Sequence, residues 1–239
     1  MADHRSLSII IPAYNEEGNI RATVDEIGAL ARKYLTDYEI LVFDDASRDR
    51  TSEIVGELQK KDPHVKLVRN VANRGLGFNY RAGVLMARCR YVIMVPGDNE
   101  VMAESLEEVF RQIGKTDIII CYAANPEFRS VWRQRISRMF TGSLNFLFGF
   151  KVSYYNGPNV LRTDMARAVV PDTSSFAYMA VMLVELLKGG ATFQELTFAL
   201  RRRQYGKTKA FKLKNIYCVV RDVLVAFWKV ALCRRYKKL

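Results

Sequence analysis

Short runs of apolar, mostly β-branched residues recur through the first half of the chain, at 7–11, 40–43, 65–68, 91–95 and 117–121. Between them, at about 17–33, 49–60, 78–88 and 103–113, apolar positions keep the three- and four-residue spacing of one helix face. Short buried strands alternating with amphipathic helices predict an α/β fold, a mostly parallel, Rossmann-like sheet with helices on both faces. In such sheets ligands collect at the carboxyl ends of the strands. The polar clusters of this chain fall there: Tyr14, Asn15, Glu16 and Glu17 after the first strand, Asp44 and Asp45 after the second, Asn73, Arg74 and Gly75 after the third, Asp98 after the fourth.

Beyond residue 125 the alternation weakens. Arg129, Arg133, Arg135 and Arg138, interspersed with Trp132, Ile136 and Phe140, predict an arginine-rich amphipathic helix. Asn156, Gly157, Pro158 and Asn159 follow, then a buried helix at about 176–188 and a short strand at about 192–199. The last predicted element, about 212–233, keeps Asn215, Cys218, Asp222 and Lys229 in one narrow polar stripe against a broad apolar face that includes Val223, Phe227 and Trp228. The expected organisation is a domain over 1–210 and a basic amphipathic helix with its tail over 211–239.

Charge sharpens that division. The chain has 239 residues, 49% of them hydrophobic, and a formal net charge of +12. From Arg201 onward there are 13 Lys/Arg against the single acid Asp222, so residues 1–200 carry 24 bases and 24 acids and are neutral. A basic end interleaved with Ile, Val, Leu, Phe and Trp fits an anionic lipid surface better than nucleic acid, which would call for base-stacking aromatics in a basic groove. Cys89, Cys121, Cys218 and Cys233 lack metal-ligand or redox spacing and are expected to be reduced, in a cytosolic protein. The early first strand leaves no room for a signal peptide, and no uncharged run reaches the ~18–20 residues that span a bilayer.

Taken singly, the motifs have structural explanations. Asn15 can cap a helix whose positive N-terminus suits Glu16 and Glu17, and Asp44, Asp45, Ser47, Asp49 and Thr51 can form a turn and cap. Two adjacent acids emerging from an apolar strand exceed what a cap requires, however, and a carboxylate facing a ring N–H is a natural reader of a nucleotide base. Asp98 and Glu100 offer hard oxygens to a divalent cation. With three glycines, Gly75, Gly77 and Gly83, around a helix start, they point to a site for an activated phosphate compound.

In this order and spacing, Pro12-x-Tyr-Asn-Glu-Glu17, Asp44-Asp-x-Ser-x-Asp-x-Thr51, the Asn73/Gly75/Gly77/Gly83 segment and Asp98 resemble the family 2 glycosyltransferases with a GT-A fold, over about residues 6–210. Gly75-Leu-Gly77-x-x-Tyr80-x-x-Gly83 and Arg203-x-x-Gly206-x-Thr-Lys209 are similar to the branch that moves a sugar from a nucleotide-diphospho-sugar to a polyprenyl phosphate, as dolichyl-phosphate sugar transferases do. The resemblance implies that Pro12, Tyr14, Glu16, Glu17, Asp44 and Asp45 line the nucleotide, with Asp44 on the base, and that Arg74 and Gly75 lie near its diphosphate. It implies Mg²⁺ or Mn²⁺ on Asp98 and Glu100, and an acceptor phosphate held by Arg162, Arg201, Arg202 and Lys207. Asp98, Arg203 and Lys209 are the residues expected to carry catalysis.

Two positions depart from the family pattern. Pro96 stands where the first carboxylate of an Asp-x-Asp motif is expected, and Asn159 replaces an arginine while Arg162 remains. A polyprenyl phosphate is already an anion, so it can attack the anomeric carbon without a strong base; inversion there is the family's expectation. The implied setting is peripheral, on the cytosolic face of an anionic membrane, with homo-oligomers left open. Two alternatives stand beside it: a transferase acting on a hydroxyl, which needs a base such as Glu185, and a degenerate binding scaffold, motivated by Pro96 and Asn159.

Overall fold

The computed structural model describes residues 5–125, 131–171, 177–201, 221–225 and 227–228. The first half alternates as expected: β1 (Ser6–Ala13), α1 (Ile20–Tyr34), β2 (Asp37–Asp44), α2 (Thr51–Lys61), β3 (Val65–Arg69), α3 (Leu76–Met86), β4 (Tyr91–Met94), α4 (Ala103–Gln112) and β5 (Ile118–Ala123). Then come α5 (Val131–Phe148), β6 (Val160–Arg162), α6 (Thr163–Val169), α7 (Tyr178–Lys188) and β7 (Phe193–Phe198). One seven-stranded sheet joins them in the order β3-β2-β1-β4-β6-β5-β7. Every neighbouring pair is parallel except those of β6, which runs antiparallel to both β4 and β5.

Alternation along the strands builds two cores. Leu7, Ile9 and Ile11 of β1 and Ile40 and Val42 of β2 face α1, α2 and α4. Ile10, Leu41 and Phe43 face the other way, against α3, α5, α6 and α7. Because β1 and β2 are covered on both sides, they read as continuous apolar runs. Gly83 sets the approach of α3 to β1, since a Cβ there would lie 2.5 Å from the Ile10 side chain.

The structure revises several sequence expectations. Helix α1 begins at Ile20, not near residue 17, because residues 14–19 are spent on a turn in which the amides of Asn19 and Ile20 donate to the Glu16 carbonyl. Asn15 caps nothing: it sits at φ 57° and its Oδ1 accepts from the Arg48 amide at 2.8 Å. Strand β6 and helix α6 were not foreseen. Asn159 is fully buried and structural, its Oδ1 accepting from the Cys121 amide at 2.8 Å and its Nδ2 donating to the Tyr155 carbonyl. Cys89 and Cys121 are free and buried, and burial pushes the Cys121 thiol up to about 12. The 210/211 boundary lies outside the described residues; of the last element, 221–225 and 227–228 are helical.

Candidate active site

Three strands deliver their following loops to one edge of the sheet. Ala13, the last residue of β1, pairs with Asp44, the last of β2. The chain after β4 keeps to β1, with the amides of Val95 and Gly97 donating to the carbonyls of Ile10 and Pro12. Tyr14, Asp44 and Asp98 are therefore brought to the same rim. Each loop carries one non-glycine residue in the left-handed region, Asn15, Ala46 and Asn99, at φ 57°, 62° and 53°. Such conformations cost energy, least for Asn, and persist where the surroundings over-determine them.

Here a clasp between the first two loops does so. Ser47 Oγ accepts from the Asn15 amide at 3.0 Å, Thr51 Oγ1 from the Glu16 amide at 2.9 Å and Asp49 Oδ2 from the Glu17 amide at 3.1 Å. In return Arg50 donates its amide to Glu17 Oε2 at 3.1 Å. Burial pushes the Asp49 carboxyl up, but the Thr51 hydroxyl and amide and the Glu17 amide outweigh it and hold it below its usual value. The alternate-residue pattern Ser47, Asp49, Thr51 thus joins two loops while Asp49 Oδ1 also accepts from the Thr51 amide at 3.0 Å, at the start of α2 as expected.

Asp44, which ends β2, and Asp45, just beyond it, point in opposite directions. Asp44, 1% exposed, accepts from the Ser47 amide at 2.9 Å and the Ser52 hydroxyl, with Arg69 Nε 3.8 Å away. Asp45, 4% exposed, turns toward α3: Oδ1 accepts from Asn70 Nδ2 and the Arg74 amide, both at 2.8 Å, and Oδ2 from the Gly75 amide at 2.9 Å. The backbone of Arg74 and Gly75 is thereby aimed at Asp45. What this loop offers outward is the Arg74 guanidinium, 4.3 Å over the Phe78 ring, and the start of α3, which has no side-chain cap. Gly75 at φ 84° permits that turn.

The loop bearing Asp98 and Glu100 is fastened from three sides. Asp98 Oδ1 accepts from the Glu100 amide at 3.3 Å, Thr23 Oγ1 of α1 donates to the Gly97 carbonyl at 3.2 Å, and the Arg201 amide donates to the Glu100 carbonyl at 2.7 Å. The Arg201 guanidinium forks onto Glu26 of α1, both contacts 3.0 Å, and also donates to Asn99 Oδ1 at 3.0 Å. Sequence reasoning placed Arg201 on an acceptor phosphate; its charge is matched within the protein by Glu26, and no local signal links residues 26 and 201.

Arg162 does not join this rim. Because β6 is antiparallel, Arg162 pairs with Tyr91 at the start of β4, on the opposite edge. There it donates to Asp117 Oδ1 at 3.0 Å and to Asp164, which raise its pKa, Asp164 first. Glu185 is buried on α7, and Glu195 accepts from the Ser153 amide and hydroxyl. Arg202, Arg203, Lys207 and Lys209 lie outside the described residues. A separate cavity of about 440 Å³, lined by Arg32, Tyr38 and His64 among others, opens at the amino ends of β2 and β3 and shares none of these residues.

A parallel sheet with one reversed strand and a carboxylate-bearing rim defines a nucleotide-sugar transferase architecture of the GT-A kind. The chain belongs to glycosyl transferase family 2, whose model matches residues 8–175. It is 33% identical over 130 residues to a dolichyl-phosphate β-glucosyltransferase of Dictyostelium discoideum, a match covering 50% of this chain and 40% of that protein. The human dolichyl-phosphate β-glucosyltransferase is 30% identical over 112 residues, 44% of this chain and 35% of that one. The matched stretch is thus well under half of these relatives. Among solved structures, glucosyl-3-phosphoglycerate synthase from Mycobacterium tuberculosis in complex with Mn²⁺, UDP and glucosyl-3-phosphoglycerate superposes with a TM-score of 0.64 at 14% identity, covering 95% of this chain and 80% of that one. S. aureus TarS in complex with UDP-GlcNAc gives 0.67 at 17%, covering 93% and 66%. These two likenesses show the fold.

Proposed function

We propose that the chain transfers a sugar from a nucleotide-diphospho-sugar to a polyprenyl phosphate at the cytosolic face of a membrane, with inversion and with Mg²⁺ or Mn²⁺. The observation that carries the reading is the convergence on one rim of Tyr14, Asp44, the Arg74–α3 start and the Asp98–Glu100 loop. The dolichyl-phosphate glucosyltransferase relatives support the acceptor class, and the solved neighbour holding Mn²⁺ and UDP supports the donor and metal.

Asp98 and Glu100 fit a hard divalent cation by donor type. Among the described residues no cluster of three metal-binding side chains occurs, but one or two carboxylates suffice where substrate phosphates complete the shell. When bound, the cation would neutralise charge on the departing diphosphate. The protein's own part is positional. Asp44, fixed by Ser47 and Ser52, retains lone pairs for a base N–H. Arg74 and the uncapped amides of α3 present positive potential to phosphate oxygens, and Arg203 and Lys209, with Arg202 and Lys207, would meet the acceptor phosphate. Among the described residues no helix is long and apolar enough to cross a membrane.

The test is release of nucleoside diphosphate from UDP-, GDP- and dTDP-sugars in detergent, with and without undecaprenyl phosphate. Lipid-dependent release, with the sugar recovered on the lipid, is expected. Asp98→Ala should reduce it at least about 100-fold. Undiminished activity in that variant refutes the site assignment, and release that ignores the lipid refutes the acceptor.

A further inference from the structure

Helix α5 divides its apolar residues in a way the sequence does not announce. Leu144 and Phe148 are buried in the core beneath the sheet. Trp132, Ile136, Met139, Phe146 and Leu147 are left outside, exposed by 72%, 45%, 73%, 88% and 43%. Trp132, Ile136, Met139 and Phe146, spaced by four, three and seven residues, lie on one stripe running along the helix, with Leu147 at its edge. Single exposed apolar side chains are ordinary, but a continuous stripe with a tryptophan and a phenylalanine marks a contact surface.

A second element also leaves apolar side chains outside. Residues 221–225 and 227–228 are helical and pack beside the end of α5, with Phe227 edge-on to Phe148 at 6.0 Å and Val223 against the same core. They leave Leu224, Val225 and Trp228 exposed by 52%, 59% and 60%. Charge is equally one-sided. Helix α5 contains Arg133, Arg135 and Arg138 and no acid, and Arg135 and Arg138 are exposed. In the chain before α5, Asn125 exchanges two hydrogen bonds with Leu200, 2.9 and 2.8 Å, and Leu200 bridges to Val101, next to Glu100.

We infer that the outer face of α5, with Leu224, Val225 and Trp228, is a docking surface for an anionic lipid bilayer. An apolar stripe bordered by arginines is complementary to acyl chains below and phosphate headgroups above. A second copy paired in parallel along α5 would bring these arginines against their own kind. The inference rests on the proposed lipid acceptor for its biological sense, but its geometry does not: the face would dock whether or not transfer occurs. Docking here would hold the Asp98 rim close to the headgroup layer, where a lipid phosphate resides.

The full-length protein, without substrates, is tested by flotation with phosphatidylcholine vesicles lacking or containing phosphatidylglycerol. The exposed double variant Trp132→Ser/Phe146→Ser should lower partitioning at least about tenfold. Arg135→Glu/Arg138→Glu should lower it about tenfold or more on the anionic vesicles and little on the neutral ones. Both variants should keep the wild-type Tm and wild-type turnover of a short, water-soluble prenyl phosphate. Unchanged partitioning in both overturns the inference. So does unchanged partitioning with a fall in Tm, which would mean that the protein's own chain covers the face, or with a change in oligomeric state, which would assign it to a second copy. Loss of partitioning in a protein with no transferase activity would leave this surface standing and remove the proposed reaction.

Discussion

Replacing Asp45 by Asn separates two roles for an acid that sequence alone assigned to the nucleotide. In the structure its carboxylate is nearly buried and receives Asn70 Nδ2, the Arg74 amide and the Gly75 amide at 2.8, 2.8 and 2.9 Å. Asparagine preserves the shape and one oxygen, which can still accept from Asn70 and Arg74, but it turns an NH₂ toward the Gly75 N–H. One charge-assisted bond is lost, at about 1.5–3 kcal/mol, and the other two weaken. Arg74 is exposed and Gly75 only half-buried, so water recovers part of the loss. A net cost of about 2 kcal/mol follows, about 4–8 °C in Tm for a domain of this size. Hydrogen exchange at the Arg74 and Gly75 amides should quicken by about 30-fold, and donor affinity should fall because the start of α3 is no longer fixed. Loss of donor binding with unchanged Tm and unchanged exchange at both amides would refute this reasoning and return Asp45 to direct contact with the nucleotide.

Three further outcomes follow from local geometry. Arg201→Gln should cost under about 1 kcal/mol, since both partners in the Glu26 pair are about a third exposed, yet raise the Mg²⁺ or Mn²⁺ concentration for half-maximal transfer; a rise in KM for the lipid phosphate alone would mean that Arg201 touches the acceptor. Burial pushes the Glu39 carboxyl up, but the Arg88 amide, the Ser8 hydroxyl and the Lys66 ammonium outweigh it and hold it below the usual value. Its contribution is therefore present above the unfolded carboxyl's pKa and lost as pH falls through the lower folded one, so Glu39→Gln should be about 1–3 kcal/mol less stable at pH 7 and converge with wild type in acid urea titrations; a constant gap refutes this. Gly157→Ala should cost about 3 kcal/mol in calorimetry, because a Cβ would lie 1.9 Å from the Cys121 carbonyl oxygen; a Tm within about 2 °C of wild type would show that the 156–159 turn shifts freely.

The parallel half of the sheet was legible because both faces of β1, β2 and β4 are covered, which writes uninterrupted apolar runs into the sequence. Strand β6 was not, because three residues between a Gly-Pro turn and α6 are too few to show a period of two. Arg162, which the family resemblance put on the acceptor phosphate, ends this strand at the opposite edge: a residue ending a strand is at the ligand rim only when the strand is parallel to its neighbours. Asp44, Asp45, Ser47, Asp49 and Thr51 were legible as a group, but their division of labour was not. Successive side chains leave a strand on opposite faces, so Asp44 meets α2 and Asp45 meets α3. Which partner waits on each face is a tertiary fact, as is the Glu26–Arg201 pair.

The proline at the candidate metal loop gains a physical reading from the same ladder. The amides of Val95 and Gly97 donate to the carbonyls of Ile10 and Pro12, so the backbone beyond β4 continues to pair with β1 at every second residue. Pro96 falls between them, at the position whose nitrogen faces away from β1, and β6 pairs with β4 only as far as Ile93. No strand therefore requires an N–H at position 96, and proline removes none from the ladder. What it removes is a carboxylate, leaving Asp98 and Glu100 as the acids of the loop. Their placement falls to Asn99 in its left-handed turn and to Arg201, which grips both the Asn99 side chain and the Glu100 carbonyl. A site with fewer charges in its donor set depends more on where those charges are held. This makes Arg201, rather than position 96, the residue whose replacement should disturb the loop most.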